Sequence, residues 1–197
     1  MSKLADPNVS LAATTHPTSP APSTAANMRH NSALPVFYWF VFGWYEPLLA
    51  TGGALGALLY PEQVYIQQAP WPQGQIPQGP LPRAAVVTLL QLAHTVGLLG
   101  LLNFFVLWAA RKHLWSQPAI QEKIVGALLA PLLLGDFLHI FLTLWAIGDD
   151  RWEVHKWQGT LWITIVSGFT LMIPRLAWHL GVGRYMESRD GQLVKKS

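Results

Sequence analysis

The run Leu128-Leu-Ala-Pro-Leu-Leu-Leu-Gly-Asp-Phe-Leu-His-Ile-Phe-Leu-Thr-Leu-Trp145 is apolar enough to cross a bilayer, yet it carries Asp136 and His139 near its middle. On a helix, positions i and i+3 share a face, so carboxylate and imidazole point the same way. An aspartate at the centre of a spanning helix costs about 2.5–3.5 kcal/mol on insertion scales, which favours a face turned to other helices over one turned to lipid. The pair predicts a helix with neighbours, and the rest of the chain is read for them.

Composition points the same way. Of 197 residues, 51% are hydrophobic and 12% charged, where a soluble domain carries about 25% charged residues. Ten Trp suit aromatic belts at two membrane interfaces. The absence of cysteine excludes disulfides, thiolate metal sites and a cysteine nucleophile. A net charge of +3, scattered along the chain, is no footprint for nucleic acid.

Working outward, residues 1–33 are rich in Ser, Thr, Ala and Pro without apolar periodicity, which predicts a disordered cytoplasmic tail. A first span is expected at about 34–60, with Glu46 at mid-depth. Pro47 follows it and should free the carbonyl of Gly43 and kink the helix. Gly52, Gly53 and Gly56 offer a small-residue face for close helix contact. Residues 61–82 hold six prolines, which argue against helix; they form either a lid over the bundle or, more plainly, a solvated connector.

A second span, about 84–110, carries His94, with Asn103 nine positions on and so on the opposite face. The third, about 124–147, is the opening run, and the polar 148–157 loop is short enough to make the next span its antiparallel neighbour. The fourth, about 158–180, has Thr160, Thr164 and Ser167 along one face, and 183–197 forms a cytoplasmic tail. With four spans, ten Lys and Arg fall on the side of the termini and three on the other, which puts both termini in the cytoplasm. The expected fold is all-α: an integral membrane four-helix bundle, up-down-up-down.

At 1.5 Å per residue, Glu46, His94, Asp136 and Ser167 lie at similar depth. Glu46, His94, Asp136 and His139, with Thr164 and Ser167, can then meet in one buried pocket walled by Trp39, Phe42 and Phe105. One reading is acid–base catalysis on a lipophilic substrate, a cyclisation or double-bond shift. Asp136 is then the acid, His139 or His94 its partner and Glu46 a second acid or base. A second is structural, with Asp136 hydrogen-bonded to a histidine and pinning a bundle that serves as subunit or anchor for another enzyme. A third, a metal site of two carboxylates and two histidines, rests on an Asp-x-x-His spacing common by chance, so no metal or cofactor is expected.

The run Pro35-Val-Phe-Tyr-Trp-Phe-Val-Phe-Gly-Trp-Tyr-Glu-Pro-Leu-Leu-Ala-Thr-Gly-Gly-Ala54, with Gly135, Asp136 and His139, resembles small fungal four-span membrane proteins of unassigned function from secondary-metabolite gene clusters. The resemblance covers about 35–180 and implies an endoplasmic-reticulum membrane, a lipophilic intermediate and a haem monooxygenase as neighbour. The chain is only loosely similar to the fungal membrane terpene cyclases, which have more spans, and to emopamil-binding, sterol-isomerase-like proteins, from which no residue role carries over.

Overall fold

A computed structural model describes residues 32–72, 75–76 and 79–191. The expected disordered tail up to residue 31 and the end of the C-terminal tail, 192–197, lie outside the described residues. Helical backbone begins with α1 (Val36–Phe40), widens into a π-helical stretch at Val41–Tyr45, and continues as α2 (Glu46–Leu59). A short α3 (Pro61–Ile66) follows, then α4 (Arg83–His113), α5 (Pro118–Ile147) and α6 (Gly159–His179). No strand occurs among the described residues.

The boundaries have local causes. Pro61 and Pro118 occupy the first turns of α3 and α5, where a missing N–H is no loss and φ is already helical. The expectation that prolines keep 61–82 free of helix therefore fails at Pro61–Ile66. α5 runs unbroken through Pro131 and stops at Gly148, whose φ of 68° suits glycine. α6 ends in a Schellman-type turn: the Val182 N–H donates to the Ala177 carbonyl and the Gly181 N–H to that of Trp178, with Gly181 at φ 75°.

Pro47 acts differently from the expectation. Ahead of it the hydrogen bonding slips to i→i−5, with the Glu46 N–H reaching the Val41 carbonyl. In that register the donor missing from Pro47 belongs to Phe42, one residue before Gly43. The Phe42 carbonyl is indeed the one served from outside the helix, by the Asn103 side-chain amide at 3.0 Å.

One core holds all the long elements together. It is built from Leu34, Tyr38, Val41 and Phe42, from Leu107 and Ala110 of α4, from Val125 and Leu129 of α5, and from Trp178 of α6. Away from it the bundle divides. Ala54 and Ala57 of α2 pack on Leu89 and Ala93 of α4, with Val64 and Tyr65 of α3 alongside. Separately, Ile140 of α5 packs on Leu161 and Ile165 of α6. The α2–α4 pairing is the most extensive, then α5–α6.

The close approach of α2 to α4 rests on different small residues from those expected. A Cβ placed on Gly100 would come 2.7 Å from the Ala50 Cβ, and one on Gly97 3.3 Å from that of Ala54. Around Gly52, Gly53 and Gly56 there is open space, so the expected glycine face packs on nothing among the described residues. Rotation about the helix axis decides this, and the glycine spacing alone leaves it free.

Both ends are fastened by polar contacts. At one, Gln121 accepts the Ala33 N–H at 2.9 Å and donates to the Ala110 carbonyl at 3.2 Å, while the Trp178 indole donates to the Ala33 carbonyl at 2.8 Å. The stretch after α6 folds back onto this end: Tyr185 N–H reaches the Ser32 carbonyl, and buried Arg184 meets Glu122 at 2.7 Å. Residues 183–191 are thus part of the folded body, where the tail was expected to begin. At the other end the Gln67 carbonyl accepts the Leu161 N–H, and its side chain accepts the Thr160 hydroxyl at 3.1 Å, tying the proline-rich connector to α6.

Candidate functional site

The most polar point inside the bundle lies beside the shared core and takes one side chain from each of four helices. Arg175 of α6 is 1% exposed and splits its guanidinium between two carboxylates, donating through Nη1 to Asp136 of α5 and through Nη2 to Glu46 of α2. Asn103 of α4 donates to the second Glu46 oxygen at 2.8 Å as well as to the Phe42 carbonyl. The Phe42 ring lies 5.5 Å beneath the guanidinium, a cation–π arrangement. In hydrocarbon the guanidinium needs formal counter-charge, and two carboxylates supply it. With both ionised the trio carries one excess negative charge. Arg175 Nε and Asn103 Oδ1 are buried with no hydrogen-bond partner among the described residues.

This cluster unites two of the four expected catalytic residues, Glu46 and Asp136, and Phe42 of the expected wall. Arg175 and Asn103 complete it. Sequence reasoning carries the fourth span to about 180 yet counts Arg175 among the cytoplasmic charges. Trp178, an interface-type residue beyond it, is the signal that the helix continues, and two buried acids without a base called for a cation. Asn103 was placed opposite His94, which is correct; the error lay in taking His94 as the inward one.

The histidines do not join the cluster. His94 lies on the exposed outer face of α4, in a shallow groove of about 600 Å³ with Gln91 and Thr95. His139 sits one turn along α5 from Asp136, within its electrostatic reach. It opens onto a groove of about 360 Å³ lined also by Leu92, Thr143, Thr164, Leu161 and the connector residue Gln68. Thr164 therefore lines a groove with His139, while the Ser167 hydroxyl donates back to the Thr164 carbonyl at 3.2 Å. Phe105 is 58% exposed and walls nothing, and Trp39 is held by Phe104 and by Arg111, 5.2 Å above its ring. The single chamber expected from depth is two places: an ionic cluster and a separate groove. Equal depth fixes height in the membrane but not the direction in which a side chain points. No group of acidic and histidine side chains fit to hold a metal occurs among the described residues.

Three helices, Arg83–His113, the segment Pro118–Trp152 and Gly159–His179, are long and apolar enough to cross a bilayer. With a buried ionic cluster drawing on four helices, these features define a multi-pass α-helical membrane protein. Within that class the chain belongs to the DUF7704 family, a domain of unknown function whose model matches residues 31–185. That range runs from the segment fastened to Gln121 to Tyr185 in the returning stretch. No curated protein and no solved structure matches the chain.

Proposed function

We propose that this chain is a four-span protein of a fungal endoplasmic-reticulum membrane, up-down-up-down with both termini cytoplasmic, that acts on a lipophilic intermediate of secondary metabolism. Support for the topology comes from the helical backbone Val36–Leu59 as a further span and from the surplus of Lys and Arg beside the termini. The observation that carries the functional reading is His139 opening, with Thr143, Thr164 and Gln68 of the connector, onto a groove whose remaining lining is apolar. Its volume falls within the range of small-molecule sites, about 300–1,000 Å³. A double-bond shift needs one base that removes a proton at one carbon and returns it two carbons away, and a neutral imidazole can do both. In this reading Asp136 is a positioning residue beside His139, and the Glu46–Arg175–Asp136 cluster is the support that fixes α5.

The engaged state of both carboxylates favours a second reading, a non-catalytic subunit that holds a haem monooxygenase or another pathway enzyme. Microsomes containing this protein alone separate the two. Conversion of a pathway intermediate, lost in His139→Ala at unchanged protein level, supports the isomerase or cyclase reading. Conversion that always requires a second protein, with His139→Ala silent, leaves the subunit reading.

A further inference from the structure

We propose that the outer face of α4 pairs, parallel and within the membrane, with α4 of a second copy of this chain. The face is defined by Val87, Gln91, His94, Leu98, Leu101, Phe105 and Trp108, spaced alternately four and three apart, and every one of them is exposed. That 4–3 repeat over three heptads is the seam of a left-handed helix pair. At 1.5 Å per residue it runs about 30 Å, the thickness of the hydrocarbon core. The seam lies on the side of α4 away from α2, whose contacts use Ala93, Gly97 and Gly100.

Any lipid-facing helix shows apolar residues, so the apolar part of the seam decides nothing. The polar part does. Gln91 and His94 stand at adjacent seam positions well inside the span, exposed, and among the described residues neither side chain has a hydrogen-bond partner. A carboxamide and an imidazole facing hydrocarbon lose their water without compensation. A second copy satisfies them for a reason of symmetry. Two copies inserted in the same orientation are related by a twofold axis along the membrane normal, which sets α4 parallel to α4 and each residue against its own counterpart at the same depth. A carboxamide and a neutral imidazole each carry one donor and one acceptor function, so each can close a hydrogen bond with itself across such an axis. The seam also contains no glycine, which suits side-chain interlocking at the wider spacing of this geometry.

The absence of cysteine makes the test direct. Single substitutions Leu98→Cys, Leu101→Cys and Phe105→Cys are placed in the full chain, with Leu99→Cys and Val106→Cys as exposed controls off the seam. Oxidative cross-linking in membranes should give dimer at the seam positions, with about fivefold or greater yield over the controls. Adding Gln91→Leu and His94→Leu to the Leu98→Cys chain should weaken dimerisation about tenfold, since interhelical polar contacts in membranes contribute on that scale. These positions touch no residue of the core, so the fold is kept. Equal yields on and off the seam, no dimer at any position, or an unchanged yield in the doubly substituted chain would each overturn the pairing.

Discussion

Two arginines are buried among the described residues, Arg175 at 1% exposure and Arg184 at 2%, and their charges are met by different means. Arg175, inside a span, holds two carboxylates and lies over Phe42. Arg184, beyond the end of α6, has one carboxylate, Glu122. It adds the main-chain carbonyls of Trp178 at 2.6 Å and Tyr185 at 2.5 Å, and stacks 3.8 Å over the Trp178 ring. Within hydrocarbon there is no water to share the charge, and the backbone carbonyls of a regular helix are committed to its own N–H groups, so formal charges from other helices serve. Where the chain leaves α6, the turn points main-chain carbonyls toward Arg184, and they take over much of the work.

The contrast predicts unequal sensitivity. Arg175→Leu strands two carboxylates inside the bundle and should cost about 3–5 kcal/mol, seen as loss of the protein from membranes and of its heat-resistant fraction in detergent. Adding Glu46→Gln and Asp136→Asn removes the stranded charges and should recover most of that loss. If the triple variant is no better than Arg175→Leu, the cluster does not stabilise by charge balance.

Asn103→Leu keeps all three charges and removes only the neutral bridge. The Phe42 carbonyl, left without a donor by Pro47, and one Glu46 oxygen then lose their partner, which should cost about 1–3 kcal/mol in the same assay. Arg184→Ala should cost less, about 1–2 kcal/mol, because water can reach the end of the bundle and replace part of what is lost. Losses in the order Arg184, Asn103, Arg175 from largest to smallest would invert the comparison and refute it.

The legible part of this protein was its class. Apolar runs, tryptophans and the interruption at 148–157 disclosed long helices, and α4 and α6 lie within a few residues of their expected limits. Glu46 and Asp136 were also legible as partners in one place, because each is intolerable alone in a span. What stayed hidden is azimuth. Gly52, Gly53 and Gly56 look like a packing face until Ala50 and Ala54 are seen to carry the contact, and His94 looks like a partner until Asn103 is seen to point inward. Hydropathy averages over all sides of a helix, so it places a residue in depth and says nothing of direction. Arg175 was lost for a related reason: one charge near a span's end reads as an anchor unless the acids that need it are counted.

The smallest expected effect concerns the returning stretch that carries Arg184. Tyr185 donates its phenol to Glu187, and burial, then that carboxylate, push its pKa up from 10 to about 12. A group whose folded pKa exceeds its unfolded value holds its proton more tightly when folded. Its contribution is complete below about pH 10 and declines as pH rises toward 12. Phenolate absorbance should show a component titrating near pH 12, and Tyr185→Phe should remove it. Glu187→Gln keeps a hydrogen-bond acceptor but removes the charge, so the late component should move back toward 10 without reaching it, since burial remains. Late titration left undiminished by Tyr185→Phe would deny that the stretch packs against α5 as Arg184 and Glu122 require.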